Sequence, residues 1–524
     1  MSSSEKRSNS LPIVDDFDTS EDRKLLRKVD LRYVLKLKEY IANPQSSLPL
    51  QSLLPIFTLL YLLSFLDRTN IGNAKLDGLV TDLKISGPSY NTSLALFFVS
   101  YVIFEVPANY VQIILKRFNP QFWLPSLTLV WGIVSICQGL VTNQAGLFGI
   151  RILLGATVYL TARRLRTFLA VTPFIRIDLP SIIAGLFPGV IFVFSMYYCR
   201  RERSWRVAIF FGGAALAGAF GGILAYSIGK MDGIGGRRGW QWIFILEGVL
   251  TVAISLGAYF VVPTWPHKAK FLTESERERL LARLQADSDA GKQEQFKWFF
   301  VRQAFTDHLV WAYALLFHGF AFVLYSLSLF LPTIIAGLGF ATWKAQLMTV
   351  PPNTLAALSI WTTVWLSANS KIRAPFIISS AVVAIIGYII LIATKTPGTQ
   401  YFGVHLAAAG IYTGNALLLS ENVSGQTKRA VAVAMQITIG DVGAIAGVLI
   451  YRPNFASHHY RKPHIIAIGY LLFAITAASY LWVQMHRENK RRNRWLDEGN
   501  EEAVVLDAED KFAGDRDVRY RYQL

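Results

Sequence analysis

The chain has 524 residues with a mean hydropathy of +0.36, of which 53% are hydrophobic, 13% aromatic and only 17% charged. This balance excludes an ordinary soluble domain and a disordered chain, so it indicates a protein that crosses a membrane several times. The formal net charge is +17. The Lys and Arg residues cluster in short stretches between apolar segments, as the positive-inside rule requires, so the charge indicates topology rather than nucleic-acid binding.

The sequence predicts no enzyme, no cofactor and no bound metal. Cys137 and Cys199 lie in or beside apolar segments, with neither a disulfide framework nor metal-ligand spacing. The phosphate-loop pattern G-x-x-x-x-G-K-[ST], which an ATP-driven pump would carry, does not occur. The N-terminus lacks the basic-then-apolar pattern of a cleavable signal peptide, so we expect the first spanning helix to direct the chain to the membrane.

Apolar segments long enough to span a membrane predict about twelve transmembrane helices. The spans lie near 53–74, 90–114, 122–142, an interrupted region at 146–198, 207–229, 241–262, 308–331, 344–367, 374–394, 401–420, 430–451 and 464–486. Six fall on each side of a polar stretch. We therefore predict an all-α fold of two six-helix bundles, divided into a tail at 1–52, a first bundle at 53–262, a central loop at 263–306, a second bundle at 307–486 and a tail at 487–524.

The distribution of basic residues predicts that both termini are cytoplasmic. Most basic stretches fall on the side of the termini, namely Lys116-Arg117, the cluster from Arg200 to Arg206, Lys371 with Arg373, Lys428-Arg429 and the tail HRENKRRNR. A minority falls on the opposite side, namely Arg237, Arg238, Arg461 and Lys462. The central loop is then cytoplasmic, and a capping box formed by Thr273 and Glu276 predicts a surface helix within it.

The first predicted span contains a charged pair, Asp67 and Arg68, in LLPIFTLLYLLSFLDRTNIGNA. The fourteen apolar residues from Leu53 to Leu66 give about 21 Å of helix, which is too short for roughly 30 Å of hydrocarbon. If the helix continues to about Ala74, both charges lie within the membrane, where charges are costly and usually functional. The alternative is that the helix ends at Leu66. Helical spacing favours the longer helix, because polar or small residues recur at Tyr61, Ser64, Arg68 and Gly72.

Two further spans of the first half carry ionisable residues. Tyr101, Glu105 and Asn109 share one face of the second span. Glu105 is either a hydrogen-bonded acid that locks two helices or a transport residue. Arg151 would join Arg68 in one cavity, where two arginines attract a carboxylate strongly. The alternative for Arg151 is that its side chain extends to the membrane interface.

The second half offers polar and aromatic groups within its spans that could contact a substrate ring or carry a proton, namely His318, Tyr325, His405, Tyr412 and Asn415. Each of these, taken alone, is more often a hydrogen-bonded core residue. Two sequons also occur, NTS at Asn91 and NVS at Asn422. Only the first faces outward in the predicted topology, so we predict glycosylation at Asn91.

Several strings of the chain together resemble one family: LSFLDRTNIGNAK, FEVPAN, RILLGAT, AGLFPG, MDGIGGRRGWQWIFILEGVLTV and SGQTKRAVAVAMQI. They are similar to the allantoate-permease branch of fungal anion:cation symporters in the major facilitator superfamily, which includes the nicotinic acid permeases. The resemblance covers nearly everything from Leu53 to about Arg487. It implies a major facilitator fold and the uptake, together with protons, of a small organic anion such as nicotinate.

By this resemblance, Asp67 and Arg68 match the charged pair of the first helix, and Arg151 matches a fourth-helix arginine implicated in holding the substrate carboxylate. The predicted substrate-binding residues are Arg68, Arg151, Tyr61, His318, Tyr325 and Asn415, and the predicted proton-coupling residues are Asp67 and Glu105. The implied partners are the small organic anion, protons and the lipid bilayer, without nucleic acid. The implied protein is a monomer in the plasma membrane, with the vacuolar membrane as the alternative.

The chain departs from the family pattern at two places. In the family, RILLGAT continues into a glutamate and then AGLFPG, which places a carboxylate seven residues after Arg151 on nearly the same helix face. Here the position is Val158, and a stretch at 158–183 separates the two motifs. A stretch near 34–53 likewise separates segments that the family joins closely. We hypothesise that both stretches are translated introns or other errors of the gene model.

Two other functions are compatible with the same sequence pattern. The first keeps the fold and reverses the direction, which would make the protein an exporter of a secondary metabolite. The second is a nutrient sensor that transports nothing. Accumulation of a labelled substrate by intact cells would separate uptake from both alternatives.

Overall fold

The computed structural model describes residues 20–30, 53–115, 119–169, 186–269, 271–287, 298–370, 372–418, 422–498, 515 and 520–524. It describes the backbone alone at 105–115, 157–169, 187–188, 192, 200–201, 285–287, 426 and 457–458. All regular structure in this part of the chain is helical. The first-half α-helices are α1 (20–30), α2 (Leu54–Leu76), α3 (Leu79–Asp82), α4 (Gly87–Leu115), α5 (Pro120–Gln138), α6 (Gln144–Leu169), α7 (Leu186–Tyr197), α8 (Arg200–Gly229) and α9 (Gly239–Val261). The others are α10 (Glu274–Asp287), α11 (Trp298–Thr306), α12 (His308–Gly337), α13 (Thr342–Leu347), α14 (Val350–Ser370), α15 (Ala374–Ala393), α16 (Pro397–Leu417), α17 (Gln426–Ile450) and α18 (Arg461–Asp497).

Twelve helices in the described part of the chain have 19 residues or more: α2, α4, α5, α6, α8, α9, α12 and α14 to α18. By length and hydropathy, 7 helices qualify as membrane spans, in α5, α8, α9, α12, α15, α17 and α18. The helix α2 falls outside this set although it has 23 residues, because Asp67, Arg68, Asn70 and Asn73 lower its hydropathy. The all-α fold class predicted from the sequence is confirmed.

The long helices pack in two sets of six that repeat the same arrangement. In the first set α2 packs on α8, α4 on α6, and α5 on α9; in the second α12 packs on α17, α14 on α16, and α15 on α18. The two sets meet through α4 with α17 and α8 with α14, and α2 lies along α12. These pairings exchange under a pseudo-two-fold relation, which is typical of a transporter built from two similar halves.

The helices α2 and α12 meet at the centre of the molecule with their backbones in close approach. A Cβ atom added to Gly72 would lie 2.4 Å from the carbonyl oxygen of Leu329. Only glycine leaves room for a contact this close. The stripe predicted from the sequence therefore includes one packing position, Gly72, among its polar residues.

The central loop contains the helix that the sequence predicts. The backbone N–H of Thr273 donates to the Glu276 carboxylate at 2.9 Å, and the N–H of Glu276 donates to the Thr273 hydroxyl at 3.3 Å. This reciprocal pair is the predicted capping box of α10. The same carboxylate accepts a hydrogen bond from Lys28 at 2.5 Å, so α1 is tied to the loop helix. Partial burial raises the pKa of Glu276, but the hydrogen bonds from Lys28 and Thr273 and the charge of Lys28 together lower it more, so the net pKa lies below the usual value.

Two stretches that interrupt the family pattern bear on how the chain is connected. The segment at 34–53 lies outside the described residues except for Leu53, whose N–H donates to the carbonyl oxygen of Val29 at 3.5 Å. The chain therefore leaves α1 and enters α2 at neighbouring points. In the stretch at 158–183, α6 continues to Leu169, while 170–185 and the side chains of 157–169 lie outside the described part.

Candidate functional site

A cavity lies where the two halves meet, and it contains about 850 Å³ of space that atoms do not fill, part of it open to solvent. It is lined by α2, α4, α5, α7, α8 and α9 of the first half, and by α12 and α17 of the second. Most of its wall is apolar or aromatic. Among the described residues, Arg68 and Asp441 are the two charged side chains that line it.

Arg68 lies within a group of aromatic rings on the cavity wall. Its guanidinium carbon is 5.1 Å from the ring centroid of Phe97, 5.6 Å from that of Tyr101, 5.8 Å from that of Trp131 and 5.6 Å from that of Tyr325. Its Nη1 donates to the Tyr325 hydroxyl at 2.7 Å, and its buried Nε has no hydrogen-bond partner among the residues that the structure describes. Four rings thus stabilise the cation by cation–π contact without neutralising it.

The charged pair of the first helix divides between two environments. The helix α2 is continuous from Leu54 to Leu76, so the alternative in which it ends at Leu66 is wrong. Asp67 faces α5 instead of the cavity, where one carboxylate oxygen accepts from Trp131 Nε1 at 2.6 Å and the other accepts from the Ser135 hydroxyl. Both oxygens are therefore occupied by fixed donors.

Arg151 lies buried on α6, with 2% of its surface exposed, and it does not extend to the surface of the bundle. Its Nε and Nη2 have no hydrogen-bond partner in the described part of the chain. It interacts electrostatically with Asp67, although the two charged groups lie more than 4.0 Å apart. Arg151 does not line the cavity. The structure thus places Arg151 behind the wall that carries Arg68.

A buried glutamate that the sequence analysis did not single out lies beside α2. Glu247 of α9 is 3% exposed, and one of its oxygens accepts a hydrogen bond from the Asn70 amide. Its other oxygen, Oε1, has no partner among the described residues. The signal was a lone acid in the apolar run WIFILEGVL. We refer to Asp67, Asn70, Ser135, Arg151 and Glu247 as the buried polar cluster.

Asp441 of α17 was also missed from the sequence. It lines the cavity from the second half, is 4% exposed, and accepts no hydrogen bond from a described residue. The signal was a single carboxylate in the small-residue helix ITIGDVGAIAG. An acid inside a membrane segment is by default a functional candidate.

Of the predicted substrate-binding residues, the structure brings Tyr61, Arg68 and Tyr325 together on the cavity. His318 and Asn415 do not line the cavity, and each has one nitrogen bonded to backbone carbonyls. The His318 Nδ1 is 2.8 Å from the oxygen of Ile439, and the Asn415 amide donates to Phe320 at 3.3 Å and to Ile411 at 3.1 Å. Their role in substrate binding stays a prediction, and in this conformation they join helices.

Two further predicted residues have roles that the described structure does not establish. The side chain of Glu105 lies outside the described part, so its part in proton coupling stays a prediction. Asn91 is 2% exposed, and its amide donates to the carbonyls of Val448 at 2.9 Å and Tyr451 at 3.2 Å. The folded protein exposes no surface of Asn91 for a glycan, and a glycosidase assay is needed to test the predicted modification.

Comparison with known proteins identifies the fold and the family. The model of the Major Facilitator Superfamily matches residues 180–448. An uncharacterised transporter of Schizosaccharomyces pombe is 32% identical over 478 residues, which cover 90% of this chain and 88% of the relative. The chain belongs to the major facilitator superfamily. The resemblance seen in the sequence motifs is thereby confirmed, and the protein is a multi-pass membrane transporter.

Two other matches from this superfamily bear on the fold and on relatives of known substrate. The high-affinity nicotinic acid transporter of Saccharomyces cerevisiae is 29% identical over 475 residues, covering 90% of this chain and 83% of that protein. The structure of the proton:xylose symporter XylE superposes with a TM-score of 0.58 at 15% identity, covering 82% of this chain and 95% of that chain. At this identity the second match supports the major facilitator fold alone.

Proposed function

We propose that this major facilitator transporter takes up a small organic monocarboxylate, of the class to which nicotinate belongs, together with protons. The observation that carries the proposal is the state of Arg68 in the cavity. Its guanidinium lies among four aromatic rings, and no carboxylate whose side chain the structure describes lies within 4.0 Å to neutralise it. Such a cation in an apolar cavity favours an anionic ligand, and its planar fork matches a carboxylate.

The aromatic wall of the cavity supports a substrate with a flat ring. Phe97, Tyr101, Trp131 and Tyr325 surround the guanidinium, and Tyr61 stacks on Phe210 at 4.4 Å between ring centroids. Aromatic rings contribute large apolar contact area and prefer offset or edge-to-face neighbours. A ring that carries one carboxylate therefore fits both the cation and the wall. The relationship to the yeast nicotinic acid transporter supports the same class.

Transport would follow from alternating exposure of this cavity to the two sides of the membrane. The cavity lies between two similar halves, so rocking of one half against the other would open it to each side in turn. We propose that both termini lie in the cytoplasm, as the basic residues predict, and that the protein acts at the plasma membrane. Accumulation of labelled substrate inside cells would distinguish uptake from export.

The test is uptake of labelled nicotinate by cells that express the chain, with unlabelled monocarboxylates, dicarboxylates and amides as competitors. Arg68→Ala should lower the uptake rate by roughly a hundredfold, equivalent to about 3 kcal/mol, because a charge-assisted bond to the carboxylate is lost. Arg68→Lys should restore part of the rate, since lysine keeps the charge and loses the fork.

A matched control for this test is Arg461→Ala, which removes an exposed arginine at the start of α18. All variants are compared at equal surface abundance. Uptake by Arg68→Ala at the rate of the unmodified protein would refute the proposed role of the cavity. Failure of every monocarboxylate to accumulate or to compete would refute the proposed substrate class.

A further inference from the structure

Asp441 and Arg68 lie on opposite sides of the same cavity, and they belong to opposite halves of the molecule. Arg68 is on α2 and Asp441 is on α17. The two charges interact electrostatically across the cavity, yet no ion pair of 4.0 Å or less joins them. Asp441 is 4% exposed and takes no hydrogen bond from a described residue, so it has no fixed partner.

Among the described groups around Asp441, this carboxyl is the one whose charge can change near neutral pH. From α2, α4 and α12, the described titratable side chains that line the cavity with it are Arg68, Tyr61, Tyr101 and Tyr325. The side chain of Glu105, also on α4, lies outside the described part. Guanidinium groups stay charged and phenols stay neutral near neutral pH. On the packed helices, His318 of α12 is held by the Ile439 carbonyl outside the cavity, and Arg302 of α11 is exposed.

The charge balance of the cavity links a proton to the substrate. With Asp441 ionised, Arg68 and Asp441 sum to zero, so an entering carboxylate leaves one uncompensated negative charge in an apolar cavity. With Asp441 protonated, the carboxylate and Arg68 balance each other. Because uncompensated charge is costly where the dielectric constant is low, anion and proton bind best together.

Asp67, one of the two acids predicted from the sequence to carry the proton, lies in a different setting. Both of its oxygens accept hydrogen bonds, from Trp131 Nε1 and the Ser135 hydroxyl, and it does not line the cavity. Asp67 is therefore held by fixed donors away from the cavity, whereas Asp441 lines the cavity and accepts no hydrogen bond from a described residue. Asp67 thus has the contacts of a positioning residue that orients Trp131 beside Arg68.

We propose that Asp441 is the proton-coupling residue of this transporter, and this inference rests on the proposed uptake of a monocarboxylate. The Asp441 carboxylate takes a proton from water on the outer side and becomes a neutral carboxylic acid. Arg68, no longer attracted across the cavity, binds the substrate carboxylate. After the cavity opens to the inner side, the substrate leaves and the carboxylic acid returns the proton to water, so one proton crosses with each anion.

The experiment uses the full chain in proteoliposomes, with labelled nicotinate as the probe and an imposed pH gradient. Asp441→Asn should lose accumulation above equilibrium, while exchange of internal for external nicotinate continues. For the unmodified protein, one coupled proton changes the half-saturating concentration by up to about tenfold per pH unit, and in Asp441→Asn this dependence should disappear. Asp441→Glu should keep gradient-driven accumulation, because it keeps a titrating carboxyl.

The matched control is Asp232→Asn, which makes the same chemical change at an exposed loop position. Gradient-driven accumulation by Asp441→Asn, or its loss in Asp67→Asn with a normal pH dependence in Asp441→Asn, would overturn the assignment. Loss of exchange in Asp441→Asn at normal abundance would show a substrate ligand instead and would also overturn it. If the unmodified protein transports no monocarboxylate, the proposed function fails first, and this inference falls with it.

Discussion

The two halves of the molecule repeat one arrangement of helices, but they carry different charged and polar side chains at the cavity. The first half holds Arg68 on the cavity and the buried polar cluster behind it, where Arg151 and Glu247 have polar atoms without partners among the described residues. Among the described residues of the second half, one charged residue reaches the cavity, Asp441. In the transporter that we propose, the first half therefore supplies the cation that binds the substrate, and the second half supplies the carboxylate that takes up the proton.

The halves also differ in the chain that forms one pair of corresponding helices. The helix α16 of the second half runs from Pro397 to Leu417 and packs on α14. Its counterpart α6, Gln144–Leu169, packs on α4, and the motifs RILLGAT and AGLFPG, which the family pattern joins closely, are separated here by 158–183. The described part of the chain resumes with α7, Leu186–Tyr197, so 170–185 lie outside this comparison.

The largest expected effect comes from making the two halves alike. A variant that lacks 158–183 and has one glutamate restored before Ala184 would join α6 to α7 as one helix. Because a spanning helix must satisfy its own backbone in the membrane, we expect this variant to take up nicotinate at least about tenfold faster than the chain as written. Uptake per surface molecule is the measurement.

The gene-model hypothesis is tested separately, by sequencing the transcript. A messenger that encodes 34–53 and 158–183 in full would contradict the proposal that these stretches are translated introns. Equal uptake by the restored and the written chain would show that the stretch at 158–183 does not limit transport. The contact between Leu53 and Val29 supports the removal of the first stretch, because the chain ends to be joined are neighbours.

A smaller effect should separate the roles of two buried asparagines. Asn70→Ala removes the one hydrogen-bond donor to Glu247 among the described residues of the first half, whereas Asn415→Ala removes bonds to two backbone carbonyls in the second. A buried charge or acid without a partner costs more than a lost neutral bond, so we expect losses of about 3 and about 1 kcal/mol. Thermal unfolding of the purified variants in detergent measures both. Equal losses of stability in the two variants would contradict the expected difference between the halves.

The smallest expected effect concerns the contact between α1 and the central loop. Glu276 has a lowered pKa in the folded protein, so the stability it adds is present above its unfolded pKa of about 4.5 and is lost as pH falls through the folded value. Lys28 and Glu276 are each 28% exposed, which limits the effect to a few tenths of a kcal/mol. Proteolysis after α1 should quicken slightly at acidic pH, and Glu276→Gln should remove that dependence.

The sequence predicted the first half of the site better than the second. Helical spacing is enough to place Tyr61 and Arg68 on one face of α2, and the length of the apolar run is enough to carry the helix past the charged pair. These are local properties. Which face of α12, α16 or α17 points to the cavity is set by packing between halves, so His318 and Asn415 were expected there and Asp441 was not.

The buried polar cluster shows a second limit of sequence reasoning. Asn70 and Glu247 are 177 positions apart, and the sequence around either residue does not predict that it contacts the other. Spacing rules compare residues on one helix, whereas this contact forms because α2 packs on α9. A lone acid in an apolar helix is a sufficient reason to search for a partner, and the partner is found only in three dimensions.

The close backbone contacts of α12 have a consequence for which inherited changes the protein tolerates. On one side Gly72 of α2 meets the Leu329 carbonyl, and on another side Gly447 of α17 meets the Phe322 carbonyl, where an added Cβ would lie 2.3 Å away. A single added methyl group at either glycine would act as a wedge between helices. Variation among natural isolates should therefore spare these two positions more strictly than the larger lipid-facing side chains, whose bulk can change without moving a backbone.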